Sequence, residues 1–518
     1  MLGGSNKHLQ SVDGQTAAEI PTVGGKINRA LRSALLSSVA FSVLPFAGGL
    51  GGMVLAPVPV AAAPVPSNCP IGSVVGADAT IGSGESCNFS NLLIGFTTAP
   101  ELSVESGGQL TVPVDLKVGT DSGEGSLVVT GASASATPSN VSAGTVYIGK
   151  QFSQGSSGEG QVTVSQGATL SASSGIALGN ASRGTLTIGG PSGPSFKLPG
   201  TVTTDTIIWG SIGGVLTFEH NLIMSAHEVG SVLKTQANTA EATIYINNGY
   251  TSLTGDSSDF GGDTVIDPKS PFGGLFVDGT LGNEDSTVTV KSGGELGGVG
   301  TIGGDVTVDG TLAPGGKFGG LVGTLTINGN LALNSDSKTL FQLGQANQAG
   351  SALNDFIAVG ENLELGGTLE TSAGSEGFYY LMSYGGDLFG EFQTVTNVNL
   401  PQTEYQILTD TPGEVNLLLG IQKHETGFWD GTNMTANNMV DGGTGIWNDS
   451  NTNWTNVDGS ENTAWGQAVG VFMGEAGTVT VDGSQVFETL QFKTDGYVLQ
   501  GGELEFTNEN DYLGVVNV

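Results

Sequence analysis

Short stretches in which apolar and polar side chains alternate recur along most of this chain. Four of them lie between Leu275 and Leu333, and in each the apolar residues are two positions apart. The four pairs are Val288 and Val290, Val306 and Val308, Leu325 and Ile327, and Leu331 and Leu333. Successive side chains of a β-strand point to opposite faces, so this period predicts half-buried strands of a few residues each.

Glycine pairs separate these predicted strands. In the same stretch they occupy positions 293–294, 297–298, 303–304, 315–316 and 319–320. Glycine adopts the left-handed backbone conformations that tight corners need, and the spacing leaves no room for a helix. The pattern therefore predicts a β-solenoid with short Gly-rich turns, in which each coil stacks on the one before it.

A second repeat lies between residues 101 and 200. The sequence SGEGSLVVTGASAS at 122–135 is matched by SGEGQVTVSQGATLS at 157–171, and GTLTIGG at 184–190 begins a third copy. These segments are also alternating strands joined by Gly/Ser corners. If each coil takes about 22 residues, the part of the chain that follows Ala62 is long enough for a rod of about 20 coils.

The stretch from Leu275 to Leu333 also resembles a known family. The run of GTLGN, TVTVKSGGELGGVGTIGGDVTVDGTLAPGG and GTLTINGNL is similar to the passenger-associated repeat of type V autotransporters. The segment 250–267, with Phe260 at its aromatic place, resembles the element that precedes this repeat in the family. The resemblance implies an all-β fold, a right-handed parallel β-helix that forms the passenger of a Gram-negative outer-membrane protein.

The repeats and the resemblance together predict three regions after residue 100. Residues 101–200 are short Gly/Ser-rich β-helix repeats, and residues 201–420 are the passenger-associated repeat β-helix. Residues 421–518 restart with GFWDGTN and are the Trp-rich beginning of a further passenger repeat. The family's C-terminal translocator is a membrane β-barrel of alternating strands. No such pattern follows here, so the expectation is a passenger fragment or a truncated product.

The net charge and the composition of the chain exclude some classes of partner and exclude general disorder. Of 518 residues, 86 are Gly, and 15 Lys and Arg stand against 49 Asp and Glu, which gives a net charge of −34. Such a field repels nucleic acid phosphates and anionic lipid head groups, so neither is expected as a partner. Hydrophobic residues make up 38% of the chain, enough to exclude general disorder. The charge is interpreted as the solubility of an exported surface protein.

The pattern of residues 1–62 predicts an extended signal peptide. Lys26, Arg29 and Arg32 precede an apolar stretch that Pro and Gly interrupt, and small residues fit a cleavage site after Ala62. An uncleaved N-terminal anchor is the alternative.

Residues 63–100 predict an N-terminal cap, because they carry little repeat signal and a solenoid must cover its first open edge. The chain's two cysteines, Cys69 and Cys87, lie in this segment. In an oxidising compartment they are expected to form one small disulfide loop. No His clusters near them, so a metal site is not expected.

Tryptophan is concentrated near the end of the chain, where Trp429, Trp447, Trp454 and Trp465 fall within residues 421–518. Exposed indole rings would suit stacking on a carbohydrate. The favoured interpretation is that these rings fill the interior of a coil.

The sequence offers no convincing catalytic group. After residue 62 the histidines are His220, His227 and His424. Thr120-Asp121-Ser122-Gly123 and Gly255-Asp256-Ser257-Ser258 resemble nucleophile segments of trypsin-like proteases and of an esterase family. The remaining elements of a protease domain are missing, and His424 lacks the Asp that the esterase family places three residues earlier. No catalytic, cofactor-binding or metal-ligating residue is predicted, and no cofactor is expected.

The resemblance implies a non-catalytic cell-surface adhesin or structural stalk, exported through the periplasm to the outer membrane or secreted. Its expected partners are an outer-membrane β-barrel translocator and a host cell-surface or matrix component, or a second copy of the chain. A secreted esterase or protease passenger and a truncated autotransporter remnant are the alternatives. These hypotheses differ in whether one Ser is essential for activity.

Overall fold

The computed structural model divides the chain into two units at the bond between Ala63 and Pro64. The predicted signal peptide, residues 1–62, lies outside the described residues. The structure describes residues 69–70, 72–120, 123–131, 137–150, 158–180, 182–190, 197–270, 272–315, 322–346, 353–375, 377–401, 405–419, 426–466, 469–506 and 515–517. The described part of the chain contains no helix with the length and hydropathy of a membrane span.

Two long sheets of parallel strands begin near the N-terminal end of the second unit. Sheet I contains β2 (Ala79–Ile81), β5 (Glu101–Glu105), β7 (Gly125–Thr130), β9 (Gly160–Ser165), β11 (Gly184–Gly189), β14 (Gly214–Glu219), β17 (Ala242–Leu253), β19 (Asp263–Ile266), β22 (Thr287–Val290), β25 (Asp305–Val308), β28 (Leu331–Leu333), β31 (Leu363–Leu365) and β34 (Leu388–Gly390). Sheet II contains β1 (Val74–Val75), β3 (Ser86–Asn88), β4 (Asn91–Ile94), β6 (Gln109–Thr120), β8 (Asn140–Lys150), β10 (Thr169–Leu178), β12 (Thr201–Thr203), β13 (Thr206–Trp209) and β16 (Val232–Thr235).

Two further sheets accompany the later strands of sheet I. Sheet III contains β15 (Ala226–Val229), the second half of β17, β20 (Gly273–Val277), β23 (Glu295–Gly298), β26 (Thr311–Pro314), β29 (Lys338–Phe341), β32 (Thr368–Thr371) and β35 (Thr394–Asn397). Sheet IV contains β18 (Asp256–Ser257), β21 (Thr280–Leu281), β24 (Thr301–Ile302), β27 (Thr324–Ile327), β30 (Phe356–Val359), β33 (Gly377–Tyr384), β36 (Tyr405–Leu408) and β37 (Glu414–Leu419).

Along most of the chain, consecutive strands belong to different sheets in a repeating order, and each of these strands pairs in parallel with a strand of a neighbouring coil. This topology defines a parallel β-helix. One coil runs through β22 in sheet I, β23 in sheet III and β24 in sheet IV, and then returns to sheet I as β25. There Thr287 pairs in parallel with Asp305 of the next coil. The predicted all-β parallel β-helix is therefore confirmed.

Coil length varies more than the repeats suggested. Along sheet I the step from one strand to its partner ranges from 18 residues, between Thr287 and Asp305, to 35 residues, between Gly125 and Gly160. The expected coil of about 22 residues is therefore only an approximate value. Strand length also varies, from two residues in β18 to twelve in β6, so strands and corners both contribute to the difference in coil length.

The interior of the helix is filled by apolar ladders. In sheet I, Val288, Val306, Leu331 and Leu363 occupy the same register position in successive coils and are almost completely buried. The alternating pairs of the sequence are the inward-facing residues of these strands. Each buried Val or Leu side chain contributes about 1.5–3 kcal/mol relative to an exposed one.

Glycine is required where corners of neighbouring coils approach closely. A Cβ atom at Gly304 would overlap the carbonyl oxygen of Ser286 in the coil before it. Gly298 has a φ of +116°, which L side chains rarely adopt. The Gly pair at 303–304 thus serves as a corner, whereas the predicted corner at 297–298 was wrong, because Gly297 and Gly298 end strand β23 and pair with Ala313 and Pro314 of the next coil.

The first helix ends in antiparallel pairing. Strand β33 pairs with β37 in the antiparallel direction, and β37 pairs in the same way with β36. After residue 425 the described residues form two further sheets in which five strand pairs are parallel and two are antiparallel, and we call this part the second helix. Sheet V contains β38 (Thr426–Trp429), β40 (Trp454–Thr455), β41 (Asn462–Thr463), β42 (Val469–Phe472), β44 (Thr489–Phe492) and β46 (Val515–Asn517), and sheet VI contains β39 (Gly445–Trp447), β43 (Thr478–Phe487) and β45 (Val498–Phe506).

Strands within residues 74–94 already belong to the β-helix. Val74 pairs in parallel with Leu93, and Ala79 pairs in parallel with Leu102 of the next coil. The prediction that residues 63–100 cap the helix stays a prediction, as do the other predicted region boundaries.

Candidate functional surface

The two serines that resembled nucleophiles do not form a described catalytic group. Ser257 is 1% exposed, and its Oγ accepts a hydrogen bond from the Leu233 backbone N–H at 3.0 Å. This contact joins strands β16 and β18 of neighbouring coils, so the side chain has a structural role. Asp121 and Ser122 of the other segment lie outside the described residues.

Two histidines lie together near the end of β14. His220 is 2% exposed, and its ring centroid is 5.6 Å from that of His227. The Leu222 backbone N–H donates to His220 Nδ1 at 3.3 Å, so Nε2 is the protonated nitrogen and donates to Thr251 Oγ1 at 3.3 Å. Burial, and secondarily the nearby His227, lower the pKa of His220 to about 3. The ring is therefore neutral at pH 7, while His424 lies outside the described residues.

Three of the four tryptophans predicted to fill a coil lie in the interior of the second helix, and Trp465 is half-buried against them. Trp429, Trp447 and Trp454 are fully buried, and the Trp454 ring lies 4.3 Å from that of Trp465. The Trp429 Nε1–H donates to the Gly443 carbonyl at 2.9 Å. These buried rings present no face to a ligand, which supports the interior interpretation over a carbohydrate platform.

Cys69 and Cys87 are joined by a disulfide, with their Cα atoms 5.6 Å apart. Cys87 lies in β3 and is 1% exposed, and β3 pairs in parallel with β6. The bond therefore ties the first described residues to the first coils.

A polar ladder runs along the corner that precedes sheet I. One residue just before or at the start of each of six successive strands occupies this position: Asp263, Thr287, Asp305, Asn330, Asn362 and Asp387. Asn330 Nδ2 donates to Asp305 Oδ1 at 2.9 Å, and Asn362 Nδ2 donates to Asn330 Oδ1 at 2.9 Å. The Asp387 backbone N–H then donates to Asn362 Oδ1 at 2.8 Å.

A polar cleft of about 410 Å³ opens where three consecutive corners stack against one another. The corners follow β16, β18 and β21, and we call the opening between them the corner cleft. Its lining consists of Lys234, Thr235, Gln236, Ala237, Asn238, Thr239, Asp259, Gly261, Asn283 and Asp285. The corner after β24 is shorter, because Gly303 and Gly304 replace the longer turns of the earlier coils.

Hydrogen bonds within the corners fix the shape of the corner cleft. Lys234 Nζ pairs with Asp259 Oδ2 at 2.8 Å, and this hydrogen bond and charge raise the pKa of Lys234. The Gly261 backbone N–H donates to Thr235 Oγ1 at 3.0 Å, and Asn283 Oδ1 accepts from the Asp285 N–H at 3.0 Å. One lysine and two aspartates give the lining a formal charge of −1.

Sequence reasoning missed both the polar ladder and the corner cleft. A signal for the ladder was present, because Asp305, Asn330 and Asn362 each stand immediately before an apolar residue that begins an inward-facing pair. The cleft carried no comparable signal, since its lining comes from three separate corners whose lengths differ.

Comparison with known proteins shows a similarity in sequence. No protein-family model matches the chain. It is similar to the Adhesin BmaC autotransporter of Brucella suis biovar 1 (strain 1330), with 38% identity over 275 residues. That match covers 49% of this chain and 8% of the relative, so the chain spans a small part of the relative's length.

Proposed function

We propose that this chain is a segment of the passenger of an outer-membrane autotransporter and acts at the cell surface as a non-catalytic adhesin or structural stalk. The observation that carries the proposal is the coincidence of a parallel β-helix with 38% identity to a protein named an autotransporter adhesin. A β-helix of stacked coils presents repeated polar corners over a long surface, which suits extended and multivalent contact.

The proposed route places the chain in the periplasm and then outside the cell. A signal peptide at residues 1–62 would direct export, and an outer-membrane β-barrel translocator would be the partner in secretion. The Cys69–Cys87 disulfide fits passage through an oxidising compartment. The low content of basic residues fits a surface that does not bind nucleic acid.

External proteolysis of intact cells tests the proposal. The full-length gene that contains this segment is expressed in a Gram-negative host, and protease is added to whole cells before blotting for the segment. We expect the segment to be digested while a periplasmic control protein stays intact, and cells that carry it to attach to a host-cell monolayer or matrix. Protection of the segment in intact cells would contradict surface exposure.

The non-catalytic part of the proposal has its own test. Ser257 and Ser122 are the two candidate nucleophiles, so Ser257→Ala and Ser122→Ala variants are assayed for attachment and for ester and peptide hydrolysis. We expect unchanged attachment and no turnover above a buffer control. Hydrolysis that either variant abolishes would favour a secreted hydrolase instead.

A further inference from the structure

The corner cleft carries hydrogen-bonding groups that no described protein group satisfies. The side-chain amides of Gln236 and Asn238, the Asn283 Nδ2 donor and the Asp285 carboxylate have no partner among the described residues. These groups converge from two corners that lie two coils apart. A side-chain amide both donates and accepts, and a carboxylate accepts two or more hydrogen bonds.

Glycine keeps the floor of the corner cleft open. A Cβ atom at Gly261 would lie 3.2 Å from Asn283 Nδ2 and 3.3 Å from Asn283 Oδ1, closer than ordinary contact. Because the glycine has no side chain, the Asn283 amide faces open space above the backbone. The volume of about 410 Å³ falls within the range of small-molecule sites.

The charge of the lining indicates which class of ligand the corner cleft binds. Lys234 is already paired with Asp259, so Asp285 is the uncompensated charge, and the surrounding protein is strongly acidic. An anionic ligand would be repelled. The described residues also hold no cluster of three or more metal-ligating side chains. Uncharged hydroxyl groups match the amides and the carboxylate without adding charge.

We infer that the corner cleft binds a neutral oligosaccharide, with Asn283 and Asp285 as its main hydrogen-bonding groups. This inference rests on the proposed function and names the chemical class of one adhesive contact. We expect an open polar site of this kind to bind a single ligand weakly, with a dissociation constant on the order of 1 mM. Many copies of the protein on one cell would strengthen the contact through multivalency.

Saturation-transfer-difference NMR on the full chain tests the inference. The probes are lactose, maltose, cellobiose and chitobiose, with 3′-sialyllactose as the anionic comparison and tetralysine as the cationic one. We expect at least one neutral sugar to bind, and the double variant Asn283→Ala/Asp285→Ala to weaken it at least about tenfold. The matched control is Glu284→Ala, since Glu284 is an exposed acidic neighbour that does not line the cleft.

A second variant distinguishes loss of the binding site from loss of the fold. Gly261→Ala places a methyl group against the Asn283 amide and is expected to weaken binding, whereas Gly374→Ala meets no atom within 4 Å and leaves it unchanged. Circular dichroism checks that every variant keeps its β-helix. The inference is overturned if no neutral sugar binds, if only sialyllactose or tetralysine binds, or if the double variant binds as well as the wild type.

The same variant separates this inference from the proposed function. In the full-length protein, Asn283→Ala/Asp285→Ala is tested for exposure to external protease and for attachment. Surface exposure and attachment without sugar binding by the wild type would leave the passenger proposal standing and reject the saccharide site. Failure to reach the surface would reject the passenger proposal, while sugar binding by the purified chain would be unaffected.

Discussion

Asn330 and Asn362 lie one coil apart at the same register position, and the Asn362 amide donates to the Asn330 amide oxygen at 2.9 Å. The Asn362 backbone N–H donates to the same oxygen at 3.1 Å, and Asn330 itself donates to Asp305 at 2.9 Å. One side chain thus connects three coils at an edge that faces solvent.

Loss of the Asn330 side chain should loosen this edge. In Asn330→Ala the Asn362 donors lose their acceptor and Asp305 loses a donor, and we expect a loss of about 1–2 kcal/mol in unfolding free energy. Hydrogen exchange at the Asn362 backbone amide measures the local effect. The control is Glu361→Ala, an exposed neighbour outside the ladder. Equal exchange rates in the two variants would contradict a stabilising ladder.

The buried indoles should dominate the stability of the second helix. Trp454 contacts the rings of Trp429, Trp447, Trp465 and Phe472, and Trp454→Ala would leave a large cavity. We expect a cost of about 3–5 kcal/mol, measured by the tryptophan fluorescence transition in denaturant. Phe389→Ala is the comparison, because Phe389 is 53% exposed and its loss should cost less than about 1 kcal/mol.

An ion pair links the two helices. Lys493 Nζ contacts the carboxylate of Glu414, which is 3% exposed, and Thr411 Oγ1 donates to Gln491 Oε1 at 3.1 Å beside it. Lys493→Met would leave a buried carboxylate unpaired, at a cost of about 3–5 kcal/mol. The double variant Glu414→Gln/Lys493→Met should recover most of this loss. A double variant as unstable as Lys493→Met would show that the charge pairing is unimportant.

The buried His220 predicts sensitivity to mild acid. Its pKa in the folded protein is lowered to about 3, against about 6.5 in the unfolded chain. Between these values the unfolded state binds more protons, so stability is full above pH 6.5 and falls as the pH decreases. At pH 5 the loss is about 2 kcal/mol.

Burial lowers the pKa of His227 as well and adds to the effect. Hydrogen exchange at Leu222 and Tyr250, whose amides are bonded beside this pair, is compared at pH 7 and pH 5 after correction for intrinsic rates. Leu331, in a coil far along the sequence, is the reference amide. His220→Gln should remove most of the acid-dependent difference and leave the smaller part that His227 contributes. An unchanged difference in that variant would exclude His220 as its cause.

The sequence predicted the strands well because each depends on local alternation. Val288 and Val290 face inward in the structure as their spacing indicated, and so do Val306 and Val308. The buried tryptophans followed from the same reasoning about filling a coil.

The polar ladder and the corner cleft were not predictable in the same way. Asn330 meets Asn362 only because the coil that separates them spans 32 residues, a length that no local pattern fixes. The corner cleft requires Gln236 and Asn283 to share one edge of the helix, which depends on the register of three coils. Long-range register is the information that local alternation lacks.

The antiparallel pairing of β33, β37 and β36 is expected to separate the coils into two groups that unfold independently. In a parallel helix each coil supports its neighbour through the same ladder, so damage to one coil spreads to the next. At Tyr379 and Leu417 the backbone direction reverses, and the repeating template stops. A protease cut or a denaturing force that opens the coils on one side would halt at this reversal and leave the other side intact.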